Sequence, residues 1–183
     1  VVMTLTSINP HDQSVVGELP ISTKADIEAA YQSARAAFPA WKHTPLSQRI
    51  DYIRRFKQLL ADHTTEIATL VSQEMGTPLN QSTDDVTFEL GFLDYYITQS
   101  PHSLASEVVL DDKDGEYVLT YEPHGVVACI SPWNFPVSMA TSGIIPALIA
   151  GNTVIFKPSE YTSLSQKLVA DLINQAGLPK GVL

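Results

Sequence analysis

A single cysteine, Cys129, stands in the whole chain. A disulfide framework and a cysteine-based metal site are therefore both excluded. The histidines His11, His43, His63, His102 and His124 are scattered, and none sits at ligand spacing from another, which speaks against a metal centre. Basic residues are also scarce, with 11 Lys and Arg against 20 Asp and Glu and a formal net charge of −9. Phosphate backbones are gripped by clustered cations, so nucleic acid is not an expected partner. The densest basic group, Arg49, Arg54, Arg55 and Lys57, lies along one predicted helix beside Asp51 and reads as a solvated face. No apolar run reaches the roughly 20 residues that span a bilayer, and no basic segment precedes an apolar one at the start. A soluble, cytoplasmic protein without a membrane partner is expected. Also missing is a Gly-x-Gly-x-x-Gly turn after any candidate strand, so the ordinary dinucleotide fingerprint is absent.

What is present is a globular composition: 183 residues, 44% hydrophobic and 17% charged, with 12 prolines and 9 glycines. That length holds one domain, or one and a piece of a second. Val1 to Thr4 are set aside from the fold reading. Short extended segments broken by Asn9-Pro10 and Gly17 open the chain. Thr23, with Asp26 three residues later, predicts a capped helix whose stripe is Ile27, Ala30, Tyr31, Ala34, Ala37 and Phe38, closed by Pro39. Thr44-Pro45 predicts a second helix with Leu46, Ile50, Ile53, Phe56 and Leu60 on one face. After a break near Asp62-His63, Ile67, Leu70 and Val71 mark a third helix capped by Gly76. Thr77-Pro78 opens a fourth, with Val86, Leu90, Leu93 and Ile97 running to Pro101.

Residues 104–110 and 116–122 are rich in β-branched and aromatic side chains, and Asp111-Asp112-Lys113-Asp114-Gly115 separates them, which is a hairpin signal. The apolar run 125–130 predicts a strand buried on both faces. A small-residue helix over about 136–150 follows, ended by Gly151, and then a second strand over 153–156. The last helix, about 163–176, turns Leu164, Leu168, Leu172 and Ile173 inward and ends at Gly177. Strand, helix, strand, helix is the beginning of a doubly wound parallel sheet, so the fold class is α/β. Two parallel strands alone do not complete such a sheet, and a truncated chain is expected.

Two segments fall where such sheets bind ligands, just past the carboxyl ends of strands. In Ile130-Ser131-Pro132-Trp133-Asn134-Phe135-Pro136, two prolines stiffen the turn, and Trp133 offers an apolar wall. Asn134 offers an amide that donates without titrating, which suits an oxygen on which negative charge develops. The plainer reading, favoured on spacing alone, is that Asn134 caps the next helix. In Phe156-Lys157-Pro158-Ser159-Glu160, a lysine can reach a ribose or phosphate oxygen and a glutamate can accept from ribose hydroxyls. Glu160 lies 27 residues after Trp133, not far from the roughly 20-residue offset expected of a ribose-binding acid. Its plainer reading is an exposed loop with two ordinary charges. Asp84, Asp85 and Glu89 sit early in a predicted helix, where they complement its dipole, and Asp111, Asp112 and Asp114 make a solvated loop.

Together these segments resemble the aldehyde dehydrogenase superfamily. Glu122-Pro123-His124-Gly125-Val126-Val127, Pro132-Trp133-Asn134-Phe135-Pro136, Pro146-Ala147-Leu148, Gly151-Asn152-Thr153-Val154, Lys157-Pro158-Ser159-Glu160 and Ala176-Gly177-Leu178-Pro179 occur in that family's order and spacing. Asn9-Pro10, Ala36, Phe38, Trp41, Arg49 and Glu74-Met75-Gly76 agree upstream. The resemblance covers nearly the whole chain. It implies the amino-terminal portion of that fold: strands and helices of the cofactor-binding domain over 1–103, an oligomerisation hairpin over 104–122, and the first two βα units of a Rossmann-like domain over 123–183.

The implied activity is oxidation of an aldehyde to its carboxylic acid. A cysteine thiolate attacks the aldehyde, Asn134 and a backbone amide stabilise the thiohemiacetal oxygen, hydride passes to the nicotinamide, and a glutamate activates water. Ile130, Ser131, Pro132 and Trp133 would line the dinucleotide cleft, and Lys157, Ser159 and Glu160 would hold the adenine ribose. Glu160 disfavours a ribose 2′-phosphate by like-charge repulsion, so NAD is expected over NADP. A homo-oligomer, dimer or tetramer, is expected of the full-length protein. The family's nucleophilic cysteine and general-base glutamate lie beyond Leu183, and Cys129 is mid-strand in an apolar run, so this chain alone is expected to be inactive. A competing reading of another class is a truncated paralogue acting as a nucleotide-binding or assembly module.

Overall fold

The computed structural model describes residues 3–183; Val1 and Val2, set aside above, lie outside the described residues. Strands β1 (Thr4–Ile8) and β2 (Val15–Pro20) pair antiparallel, with a register shift between Ser7 and Ile8. Four helices follow: α1 (Lys24–Lys42), α2 (Leu46–Asp62), α3 (Thr64–Met75) and α4 (Leu79–Ser103). The hairpin is β3 (Glu107–Asp112) and β4 (Gly115–Leu119), after which come β5 (Val126–Ile130), α5 (Pro136–Ile149), β6 (Thr153–Lys157) and α6 (Ser163–Gln175). Strands β5 and β6 pair in parallel, from Val126 opposite Thr153 to Ile130 opposite Lys157. This is the expected opening of a doubly wound sheet.

The capping box at α1 forms as the sequence predicts: the Asp26 amide donates to Thr23 Oγ1 at 3.2 Å, and the Thr23 amide donates to Asp26 Oδ2 at 2.8 Å. Pro39 does not end this helix; it lies inside it. Having no N–H, it cannot donate to the Arg35 carbonyl, so one helical bond is given up there. The turn beyond is anchored by Trp41, which is buried and donates its indole N–H to the Leu148 carbonyl at 3.2 Å. Pro101 is likewise inside α4. At α2 the cap position is Pro45, and Thr44 instead donates its hydroxyl to the Ala40 carbonyl of the preceding helix at 3.1 Å. Pro78 takes the same place at α4, and the Thr77 carbonyl accepts from Ser72 Oγ at 2.7 Å, closing α3 instead. Gly76 does cap α3, at a φ of 75° that a side chain would strain.

The core lies among the helices. Ile50, Ile53, Phe56 and Leu60 of α2 are all buried and meet Ile67 and Val71 of α3, Val86 and Leu93 of α4, and Ile144 and Leu148 of α5. The α1 stripe is different. Ile27 and Tyr31 are exposed, and the helix docks on β6 from Ala34, whose carbonyl accepts from Thr153 Oγ1 at 3.0 Å. In α6, Leu164 and Leu168 are only half-buried, and Val169 joins Leu172 and Ile173 inside. The expectation that β5 is buried on both faces fails: Cys129 is buried towards Gly143 of α5, while Ala128 and Ile130 are exposed. An apolar run reports both faces of a strand alike, covered or not.

Every residue of β3 and β4 is exposed, including Val108, Leu110, Tyr117 and Leu119. Asp111 and Asp112 belong to β3 rather than to the turn, which is confined to Lys113 and Asp114. No helix among the described residues is long and apolar enough to cross a membrane.

A Cβ at Gly143 would collide with Cys129 Sγ, so Gly143→Ala is expected to destabilise the fold by about 1–3 kcal/mol. Denaturant unfolding should show that loss largely recovered by adding Cys129→Ala; simple additivity of the two changes would refute the contact.

Candidate functional site

The register of β5 on β6 brings the two expected segments together, because Ile130 opposes Lys157 and the Ser131 amide donates to the Lys157 carbonyl at 3.2 Å. A residue absent from the sequence reading then ties the loops. Gln166, on the first turn of α6, is fully buried. Its side-chain amide donates to Ser131 Oγ at 2.9 Å, to the Pro132 carbonyl at 2.9 Å and to the Pro136 carbonyl at 3.1 Å. Its carbonyl oxygen accepts from the Ser159 amide at 2.7 Å. The loop after β5 is thus pinned at Pro132 and at Pro136, and the three residues between them, Trp133, Asn134 and Phe135, bow outward and are exposed. The signal was in the helix pattern: Gln166 shares the i, i+3, i+7 stripe of Val169 and Ile173, a polar residue on an inward face.

The candidate residues divide by exposure. Ile130, Pro132, Trp133, Asn134, Lys157 and Glu160 face solvent, while Ser131 and Ser159 are buried. Ser159 does not present its hydroxyl to the outside; Oγ accepts from the Tyr161 amide at 3.3 Å. Asn134 does not cap α5, whose cap position is Phe135 with no side-chain bond, and its amide has no hydrogen-bond partner among the described residues. Trp133 stands edge-on to Tyr161 of the other loop, with ring centroids 6.3 Å apart. Lys157 Nζ lies 3.6 Å from Glu160 Oε2 and donates to the Pro158 carbonyl at 2.9 Å. The Glu160 carboxyl is held below its ordinary value by its own backbone N–H and then by the Lys157 charge, so it is an anion at neutral pH.

Beside the bowed loop lies a cavity of about 330 Å³ between α4 and α5. Phe88, Phe92 and Tyr96 face Phe135 and Met139 across it, with Asp85, Glu89, Ser138 and Ser142 completing the lining. Glu89 departs from the sequence expectation. It sits mid-helix rather than at the amino end, and it is buried. Its oxygens accept from Ser138 Oγ at 2.7 Å and Thr141 Oγ1 at 2.5 Å, joining α4 to α5, while burial pushes its pKa up. A larger hollow of about 510 Å³ around Asp62 and Thr69 holds none of the candidate residues.

Glu74 is a second buried carboxyl that the sequence reading took only as part of a motif. It accepts from the Leu164 and Ser165 amides at 2.9 and 2.8 Å, capping α6, and from Ser7 Oγ of β1 at 2.9 Å. Cys129 is buried and its thiol is pushed up, so it is a poor nucleophile, as expected.

The aldehyde dehydrogenase family matches residues 3–183, and the chain belongs to it. It is 38% identical over 179 residues to N-succinylglutamate 5-semialdehyde dehydrogenase of Chromobacterium violaceum, covering 98% of this chain and 37% of that protein. The structure superposes on a NAD-dependent benzaldehyde dehydrogenase from Corynebacterium glutamicum with a TM-score of 0.89 at 31% identity, covering 98% of this chain and 39% of that one. It superposes on an NADP-dependent glyceraldehyde-3-phosphate dehydrogenase from Bacillus halodurans C-125 with a TM-score of 0.93 at 29% identity, covering 98% and 39%. The chain therefore spans well under half the length of these relatives. Its fold is the amino-terminal part of the family's fold, and the similar structures include enzymes of both cofactors.

Gln166→Leu leaves the Ser159 amide, Ser131 Oγ and the Pro136 carbonyl without their Gln166 partner in a buried place. A loss of about 1–3 kcal/mol in chemical denaturation is expected. An unchanged midpoint would show that the two loops hold their places without it.

Proposed function

We propose that the full-length protein containing this chain oxidises an aldehyde to a carboxylic acid with NAD, and that residues 1–183 supply the oxyanion donor and the ribose grip. The observation that carries this reading is the junction tied by Gln166. An unpartnered Asn134 amide and the Lys157–Glu160 pair leave adjacent strand ends of one parallel sheet, and an aromatic cavity adjoins the first of them.

The residues fit a dinucleotide. Lys157 is a donor and Glu160 an acceptor, side by side and exposed, which suits the two hydroxyls of a ribose. Ile130 and Trp133 add exposed apolar surface next to them. Ser159 serves by holding its loop rather than by touching the sugar, and Ser131 likewise. Glu160, as an anion, opposes a ribose 2′-phosphate, which favours NAD over NADP. When bound, the dinucleotide accepts a hydride from the substrate carbon.

Asn134 donates to the substrate oxygen as negative charge develops there, without changing its own protonation. Cys129 is too deeply buried and too weakly acidic to attack, so the nucleophilic thiol and the base come from other residues of the parent protein. Residues 1–183 alone are inactive on this reading. The apolar, wholly exposed β3–β4 hairpin is the contact surface of a homo-oligomer. The N-succinylglutamate semialdehyde, benzaldehyde and glyceraldehyde 3-phosphate named for the relatives share only the aldehyde group.

Full-length protein given NAD and a broad aldehyde panel should form NADH, and Asn134→Ala should lower kcat about 10²–10³-fold while leaving NAD binding in place. No NADH from any aldehyde, or an unaffected Asn134→Ala variant, would refute the reading. Glu160→Gln should narrow the ratio of kcat/KM for NAD over NADP by about tenfold; an unmoved ratio would remove Glu160 from cofactor choice.

A further inference from the structure

We propose that Gln166 is a positioning residue for the oxidation, and that the two ends of its amide serve two different steps. The Nε2 end holds Asn134 in place for the substrate oxygen, and the Oε1 end holds Glu160 in place for the ribose. This rests on the reading of Asn134 and of the Lys157–Glu160 pair given above. Gln166 is fully buried, so it acts through those loops and not by contact with substrate or cofactor.

The partners fix which end of the amide is which. The Pro132 and Pro136 carbonyls can only accept, so they face Nε2, at 2.9 and 3.1 Å. The Ser159 amide can only donate, so it faces Oε1, at 2.7 Å. Asn134 lies midway between the two pinned prolines, and Glu160 directly follows Ser159. A Lys or Arg at this place could only donate, a carboxylate only accept, and an apolar residue neither. Glutamine does both without bringing a charge into a buried place. Its own backbone is set by α6, where the Gln166 amide donates to the Thr162 carbonyl at 3.1 Å. An oxyanion donor displaced by about 1 Å costs on the order of 100-fold in rate, so small movements of the arch reach turnover.

Isosteric replacement separates the two ends in the full-length protein. Gln166→Glu keeps the acceptor for Ser159 and loses the donors to the arch. It should lower kcat about tenfold or more while KM for NAD stays within about twofold. In an Asn134→Ala background the same change should cost kcat less than about twofold, because the group it positions is gone. Gln166→Met loses both ends and carries no charge inward. It should show the same dependence on Asn134 and also raise KM for NAD about fivefold, which keeps the test available if the glutamate variant does not fold. Equal kcat losses with and without Asn134, or KM for NAD unmoved in Gln166→Met, overturn the proposal while leaving aldehyde oxidation and Asn134 intact. Undiminished kcat in Asn134→Ala alone overturns the reading of Asn134, and this proposal with it.

Discussion

Loops that leave neighbouring strands drift apart unless something holds them, and in this chain a buried glutamine amide is what holds them. Gln166 has no exposed surface, so each bond it makes is one that water does not replace. Its donors fix Pro132 and Pro136 at the two ends of a short arch, and its acceptor fixes Ser159 on the opposite loop. The arch has nowhere to send Trp133, Asn134 and Phe135 except outward. The parallel register of β5 on β6 brings the loops within reach; Gln166 sets the orientation in which they meet.

The buried carboxyls work at a distance from that junction and to the same end. Glu74 caps the amino end of α6 and also binds Ser7, so the helix carrying Gln166 is fastened to β1. Glu89 bonds to Ser138 and Thr141, fastening α4 to the helix that begins at the end of the arch. Burial raises the Glu89 pKa, and the two hydroxyl donors oppose that rise, which leaves the carboxyl satisfied without a cation.

Much of the fold was legible in the residues. The α2 stripe, the hairpin signal, the capping box at Thr23 and the strand–helix alternation after Gly125 each rest on local chemistry that tertiary contacts reinforce. Elsewhere tertiary contacts outweighed local preference. Pro39 lies inside α1 with Trp41 beyond it anchored to Leu148, and Ile27 and Tyr31 follow the helical period yet stay exposed. Ala128 and Ile130 are as apolar as a two-faced strand requires, but composition does not say what lies on each face. For the site, the motif residues were visible and their orientation was not. Ser131 and Ser159 turn inward, and Gln166, Glu89 and Glu74 reach partners as far as 35, 52 and 91 positions away, which no local pattern encodes.

On the function proposed above, Lys157 and Glu160 grip one nucleotide sugar on the surface that also carries Trp133 and Asn134. A crystal structure of the full-length protein with NAD tests it most directly. The expected result is a ribose within hydrogen-bond distance of both Lys157 Nζ and the Glu160 carboxylate, with the rest of the dinucleotide running past Trp133. A dinucleotide bound elsewhere, with those two side chains still facing water, would contradict it.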